Sequence, residues 1–178
     1  MQLGYTIPLQ RHLKIKPPPH GAPCGLAFCW ELHVLPLGGR PSLIAAHASS
    51  RYTFLLCDLS QADWMALPET FAAQLRFCLE QEGFTQGQVD HYFTLAGQPE
   101  ITKTHGRRPV AFLNRAVDDL QRLPVTVDTT TQSQPQINHF LNQVICHAAG
   151  YQEYGTGRGF LQRDFAALGI ERPGNPVL

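Results

Sequence analysis

The chain carries no excess of charge: 14 lysines and arginines balance 14 aspartates and glutamates, and the sequence pI is about 7.1. That excludes a protein that coats nucleic acid through a broad positive field, so any anion site must be local. No apolar run approaches the roughly 20 residues of a membrane span. The start, Met1-Gln2-Leu3-Gly4-Tyr5-Thr6, lacks the charged and apolar regions of a signal peptide. A cytoplasmic protein with no membrane partner is the expectation. Cysteines number five, and three of them sit inside apolar runs, which fits a reduced compartment. Catalytic signatures are missing as well. Gly155-Thr156-Gly157-Arg158-Gly159 lacks the lysine and preceding strand of a phosphate loop, and Ser49-Ser50 has no glycine elbow. Asp118 and Asp119 are adjacent on a helix and point apart.

What is present suits one compact domain, because 178 residues can bury a core without staples. Residues 5–9 are strand-like and lead into a basic amphipathic piece, Gln10-Arg11-His12-Leu13-Lys14-Ile15-Lys16, which Pro17-Pro18-Pro19 stops. Three β-rich stretches follow at about 27–35, 41–46 and 52–57, with Gly38-Gly39 as a turn; short connections make them an antiparallel meander. Beyond residue 60 the apolar period changes from two to about three and a half, which marks helices. Phe71, Leu75, Cys78 and Leu79 share one helical face, as do Val110, Leu113, Val117 and Leu120, and later Ile137, Phe140, Leu141, Val144 and Ile145. A last short helix is expected before Gly169. The fold class that results is α+β, a mainly antiparallel sheet of about four strands with helices packed on one face.

Positive charge is concentrated between Ile101 and Arg115. Residues 101–104 suit a short strand, Gly106 a turn, and Pro109 the first turn of a helix, where its missing N–H costs little. A helix start attracts anions through its unpaired N–H groups and the macrodipole, and Lys103, Arg107 and Arg108 add to that field. Arg108 and Arg115 lie two turns apart on one helical face, and the planar fork of arginine suits phosphate or carboxylate. Arg51, just before the third β stretch, can join them. Alternatively these charges form a helix-start set of salt bridges with Glu100, Asp118 or Asp119.

The order Trp30, then Ser50-Arg51-Tyr52-Thr53-Phe54-Leu55-Leu56, Leu59-Ser60-Gln61-Ala62-Asp63-Trp64, Gly83-Phe84, Ile101-Thr102-Lys103-Thr104 and Arg108-Pro109-Val110-Ala111-Phe112-Leu113-Asn114-Arg115-Ala116 resembles an uncharacterised bacterial family, a domain of unknown function. The resemblance covers about residues 5–145, leaves 150–178 as a C-terminal extension of the same domain, and implies a mobile-element setting, in plasmid-borne or insertion-sequence passenger proteins. It departs at Cys29, where the family has a polar residue, and at His105, so it implies no role for either.

Two further constellations invite chemistry. His20, Cys24, Cys29 and His33 offer two thiols and two imidazoles, a zinc ligand set, although the Cys pair is wider than in zinc knuckles; a buried Cys29 and a surface His33 is the competing reading. Cys57 with His47 and Asp58 is the best nucleophilic triplet, yet Cys57 closes an apolar run and suits a core. No metal or cofactor is assigned. The favoured function is non-catalytic recognition of an anion, a nucleic-acid phosphate or an acidic protein surface, by Lys103, Arg107, Arg108 and Arg115 with Arg51. The alternatives are a small hydrolase or nuclease-like enzyme using His47 or His105 as acid-base group, and an assembly protein whose last helix and tail bury against a second copy.

Overall fold

Apolar residues on both faces of the central strands dictate the layering. The computed structural model describes residues 1–171. Strands β1 (Gln2–Tyr5), β2 (Cys29–Leu37), β3 (Arg40–His47), β4 (Thr53–Leu56) and β5 (Glu100–Thr102) form one sheet in the order β4-β3-β2-β1-β5. Strands β2, β3 and β4 make the expected meander, with Leu37 opposite Arg40 and Leu43 opposite Leu56. Gly38 and Gly39 turn the first hairpin with φ of 55° and 78°, a conformation that glycine adopts without steric cost.

Strand β1 overturns the expectation of a mainly antiparallel sheet of about four strands. It lies parallel to both neighbours, with Leu3 opposite Trp30 on one side and Ile101 on the other, giving five strands in a mixed sheet. The physical reason is connection length. Only the meander is joined by tight turns; β1 reaches β2 through helix α1 (Ile7–His12) and a long loop, and β5 follows α2 (Gln61–Met65), α3 (Leu67–Gln81) and α4 (Gln86–Ala96). Connections of that length permit parallel pairing. The strand expected at 5–9 divides accordingly, and Pro8 falls in the first turn of α1, where proline is tolerated.

Helices cover both faces, not one. Trp30, Leu32, Leu43 and Phe54 face α3, α4 and α7 (Gly157–Ala167), where Phe71, Leu75, Tyr92 and Phe165 complete the larger core. Ile44, Ala46 and Leu55 point the other way, onto Leu113, Ala116 and Leu120 of α5 (Arg107–Gln121) and Ile137 and Leu141 of α6 (Pro135–Gln143). Strands apolar on both sides need cover on both sides. Trp30 is fully buried, its ring 5.4 Å from Phe71 and 5.7 Å from Phe54, which makes it a core residue. A small hairpin, β6 (Ile145–Cys146) with β7 (Gly155–Thr156), precedes α7. The inner face of α7, including Leu161 and Phe165, is already buried within its own chain; the tail proposed to act with it in assembly lies outside the described residues.

At the outer edge of β4 the backbone is satisfied by side chains. Asn142 of α6 accepts from Thr53 N and donates to Thr53 O, each at 2.7 Å, and Asn138 Oδ1 accepts from Leu55 N at 2.8 Å. Two asparagines thus stand where another strand would pair, which closes an edge that would otherwise be a template for association. Asn142→Leu removes both partners of Thr53 in a buried setting. Urea unfolding should show it destabilised by about 2–6 kcal/mol, at roughly 1–3 kcal/mol per orphaned group; an unchanged midpoint would show the edge to be held otherwise.

Candidate functional site

A concave surface beside the basic junction is built from residues 5–20 and the end of β5. Strand β5 ends at Thr102, Gly106 turns with φ 112°, and α5 begins at Arg107. The Lys103 N–H donates to Pro19 O at 2.9 Å, which lays the loop after α1 alongside. Between them lies a groove of about 600 Å³, lined by Arg11, Lys14, His20 and Lys103 together with Tyr5 and Thr104. Its lining contains no carboxylate, and among the described residues Arg11, Lys14 and Lys103 form no ion pair.

Local backbone geometry places these cations. Helix α1 ends with Lys14 in the left-handed region, φ 54°, and the Ile15 N–H returns to Gln10 O at 3.1 Å. That is a Schellman ending on a non-glycine residue, a conformation costing roughly 1–2 kcal/mol. The reversal sets Lys14 and Ile15 between the cationic groove and a second one of about 670 Å³, which both residues and Tyr5 also line. This second groove is aromatic and apolar, with Trp64, Leu13 and Met65; the His12 ring meets Trp64 edge-on at 4.5 Å.

The sequence-predicted cations have different fates. Lys103 lines the cationic groove. Arg107 and Arg115 are exposed on α5. Arg108 donates to Tyr151 O at 3.1 Å and lies over the Phe112 ring. Arg51 is buried, donates to Phe112 O at 3.2 Å and pairs with the Asp119 carboxylate, so its charge fastens the β3–β4 turn to α5. The groove's other cations come from the amphipathic piece at 10–16 and from His20, residues that sequence reasoning noticed but could not bring beside Lys103.

The remaining constellations are dispersed. Cys24 and Cys29 meet, Sγ to Sγ at 3.2 Å, but His33 Nδ1 faces Thr6 Oγ1 at 3.0 Å and His20 lies in the groove. Among the described residues no group of three or more His, Cys, Asp and Glu side chains is placed to hold a metal ion. The Cys57 triplet is not assembled. Antiparallel register puts His47 opposite Trp30 and Leu56 opposite Leu43, so His47 and Cys57 stand at opposite ends of the hairpin, and Asp58 pairs with Arg40 at 2.8 Å.

Both candidate acid-base histidines are committed to the interior. His105 N donates to Glu31 Oε1 at 2.8 Å; its ring Nδ1 faces the same oxygen at 2.9 Å and its Nε2 faces Gln2 Oε1 at 3.1 Å. The Gln2 amide is oriented by its own bond to Ala22 O. Held between these two oxygens, the imidazole pins the β5–α5 turn onto the sheet through the fully buried Glu31. Gly4 makes the room: a Cβ there would lie 2.3 Å from Glu31 Oε2 and 2.9 Å from Thr104 Cα. His47, also buried, meets Ser50 Oγ at 2.7 Å and Ala27 O at 3.0 Å. Burial pushes its pKa below the usual 6.5, against the raising effect of Asp164, so the ring is held neutral.

A mixed five-stranded α+β domain with a cationic groove beside a strand-to-helix junction is the class that fold and site define. By sequence the chain belongs to the family described as Domain of unknown function (DUF6933), whose model matches residues 2–158. No curated protein matches it.

Gly4→Ala forces the Glu31 carboxylate and the Thr104 backbone apart, and should lower stability by about 1–3 kcal/mol in urea unfolding. For His47 the sign follows from proton uptake: the unfolded chain binds a proton below about pH 6.5 that the native chain refuses, so stability is full above that pH and falls below it. The urea midpoint should therefore drop between about pH 7.5 and about pH 5.5, and His47→Gln should flatten that drop; an equal drop in the variant would assign it to other groups.

Proposed function

We propose that this protein recognises single-stranded nucleic acid, holding phosphates in the cationic groove and a base against Trp64 in the groove beside it. One observation carries the reading: Arg11, Lys14, His20 and Lys103, drawn from three separate segments, converge on a groove whose lining has no acidic side chain, next to an aromatic one. Cations that track a backbone beside an aromatic platform are how single strands are held without reading sequence. Each groove lies within the volume range of ligand sites, roughly 300–1,000 Å³. The neutral net charge limits the footprint to a few phosphates, so binding is modest in affinity and sensitive to salt.

An enzymatic reading finds less support. The ring nitrogens of His47 and His105 are taken up by hydrogen bonds within the protein, and neither residue lines these two grooves. An acidic protein surface matches the same cations but makes no use of the aromatic groove.

Fluorescence anisotropy with a dye-labelled single-stranded oligonucleotide tests the proposal. Three permanent cations predict a slope of about −2 in log K against log salt, at about 0.7 per phosphate contact. Lys14→Glu combined with Lys103→Glu should weaken binding more than tenfold, Trp64→Ala should cost about 1–3 kcal/mol while keeping the slope, and Arg108→Ala with Arg115→Ala should change little. Binding unaffected by the Lys14 and Lys103 reversals sinks the assignment, as does preference for an acidic peptide over the oligonucleotide.

A further inference from the structure

The two sulfurs left over from the dispersed zinc set have a relationship of their own. Cys24 Sγ lies 3.2 Å from Cys29 Sγ, inside van der Waals contact, and of the five cysteines only Cys24 is exposed. Cys29 opens β2, where it pairs with Gln2, and is 1 % exposed. Between them run Gly25 and a 3-10 turn at Leu26–Phe28; a side chain at Gly25 would meet nothing within 4 Å, so this part of the loop has room to move. Closing the gap to a bond of about 2.05 Å takes an approach of about 1.2 Å, which the exposed partner's loop can supply.

We propose that Cys24 and Cys29 form a reversible redox site, in which hydrogen peroxide or a similar small hydroperoxide oxidises Cys24 and Cys29 then resolves it as a disulfide. In the first step the Cys24 thiolate attacks one peroxide oxygen; an S–O bond forms, the O–O bond breaks, and the departing hydroxide takes a proton to leave as water. In the second the Cys29 sulfur attacks the Cys24 sulfenic sulfur; the S–S bond forms, the S–O bond breaks, and hydroxide leaves with the Cys29 proton as a second water. Two thiols and one peroxide thus become one disulfide and two waters.

The division of roles follows from placement. A hydroperoxide reaches Cys24 from solvent, whereas Cys29 is shielded, and burial, reinforced by the neighbouring Cys24 sulfur, raises its pKa and keeps it a thiol until a sulfenic acid forms beside it. Cys57, Cys78 and Cys146 are all buried, and no other sulfur pair makes contact among the described residues. The bond would fasten to β2 the segment that includes His20 and holds Lys103 through Pro19 O.

Thiol titration and peptide mapping of the native, fully reduced protein test this. One equivalent of hydrogen peroxide should consume two of the five thiols, and the map should show one peptide pair joined through Cys24 and Cys29 within a single chain, restored by dithiothreitol. In Cys29→Ser, Cys24 should stop at the sulfenic acid and be trapped by dimedone; in Cys24→Ser no disulfide should form. Should Cys29→Ser fail to fold, mapping of the unmodified chain alone decides. A Cys24–Cys24 link between two molecules, oxidation of Cys24 onward to sulfinic acid without a disulfide, or first reaction at one of the buried thiols would each overturn the proposal.

Discussion

Strand β1 is hydrogen-bonded along both edges, parallel to β2 on one side and to β5 on the other, and everything at the candidate site is placed by that double pairing. Because Gly4 has no side chain, the Glu31 carboxylate reaches across β1 from β2 and grips the turn that leaves β5. One missing Cβ therefore links three strands and the start of α5. A buried carboxylate contributes little net stability once its desolvation is counted, but removing its hydrogen-bond partners strands it at a cost of several kcal/mol, on the order of 3–5. Its effect is positional: it sets where Lys103 and Thr104 emerge, and hence where the groove has its far wall.

A neutral chain can hold a cationic site only by spending its acids elsewhere, and the structure shows where they go. Asp119 is taken by Arg51, Glu31 by His105, Glu82 by Arg158, Asp90 by Arg76 and Glu153 by Arg163. Arg40 and Asp58 cancel at the hairpin end. After these pairings, the cations of α1 and the β5 end remain facing solvent together. The potential of such a patch comes from the arrangement of charges rather than their total, which is why a sum over the sequence conceals it.

Much of the fold was legible where its signals are local. The β2–β4 meander, α3, and α5 with Pro109 in its first turn all follow from period, turn residues and capping within a dozen residues. What escaped depends on contacts distant in sequence. The parallel seat of β1 is invisible in Gln2-Leu3-Gly4-Tyr5, which is four residues long and short of apolar alternation. Asn138 and Asn142 look like an ordinary polar admixture in α6 until β4 is placed beside them. The site shows the same division. The junction at 101–115 stood out, and Lys103 does line a groove, but nothing in the sequence tells that Arg51 turns inward to Asp119 while Arg11 and Lys14 come round to Lys103.

The order of translation gives the sheet a history that its finished form hides. Leu3 pairs with Ile101, so β1 is synthesised well before β5, and its second edge stays open until that later strand arrives. Until then Glu31, which reaches across β1 from β2, has no β5–α5 turn to grip. The β5–α5 turn brings His105 to that carboxylate, so the residues that build the mouth of the groove also close the second edge of β1.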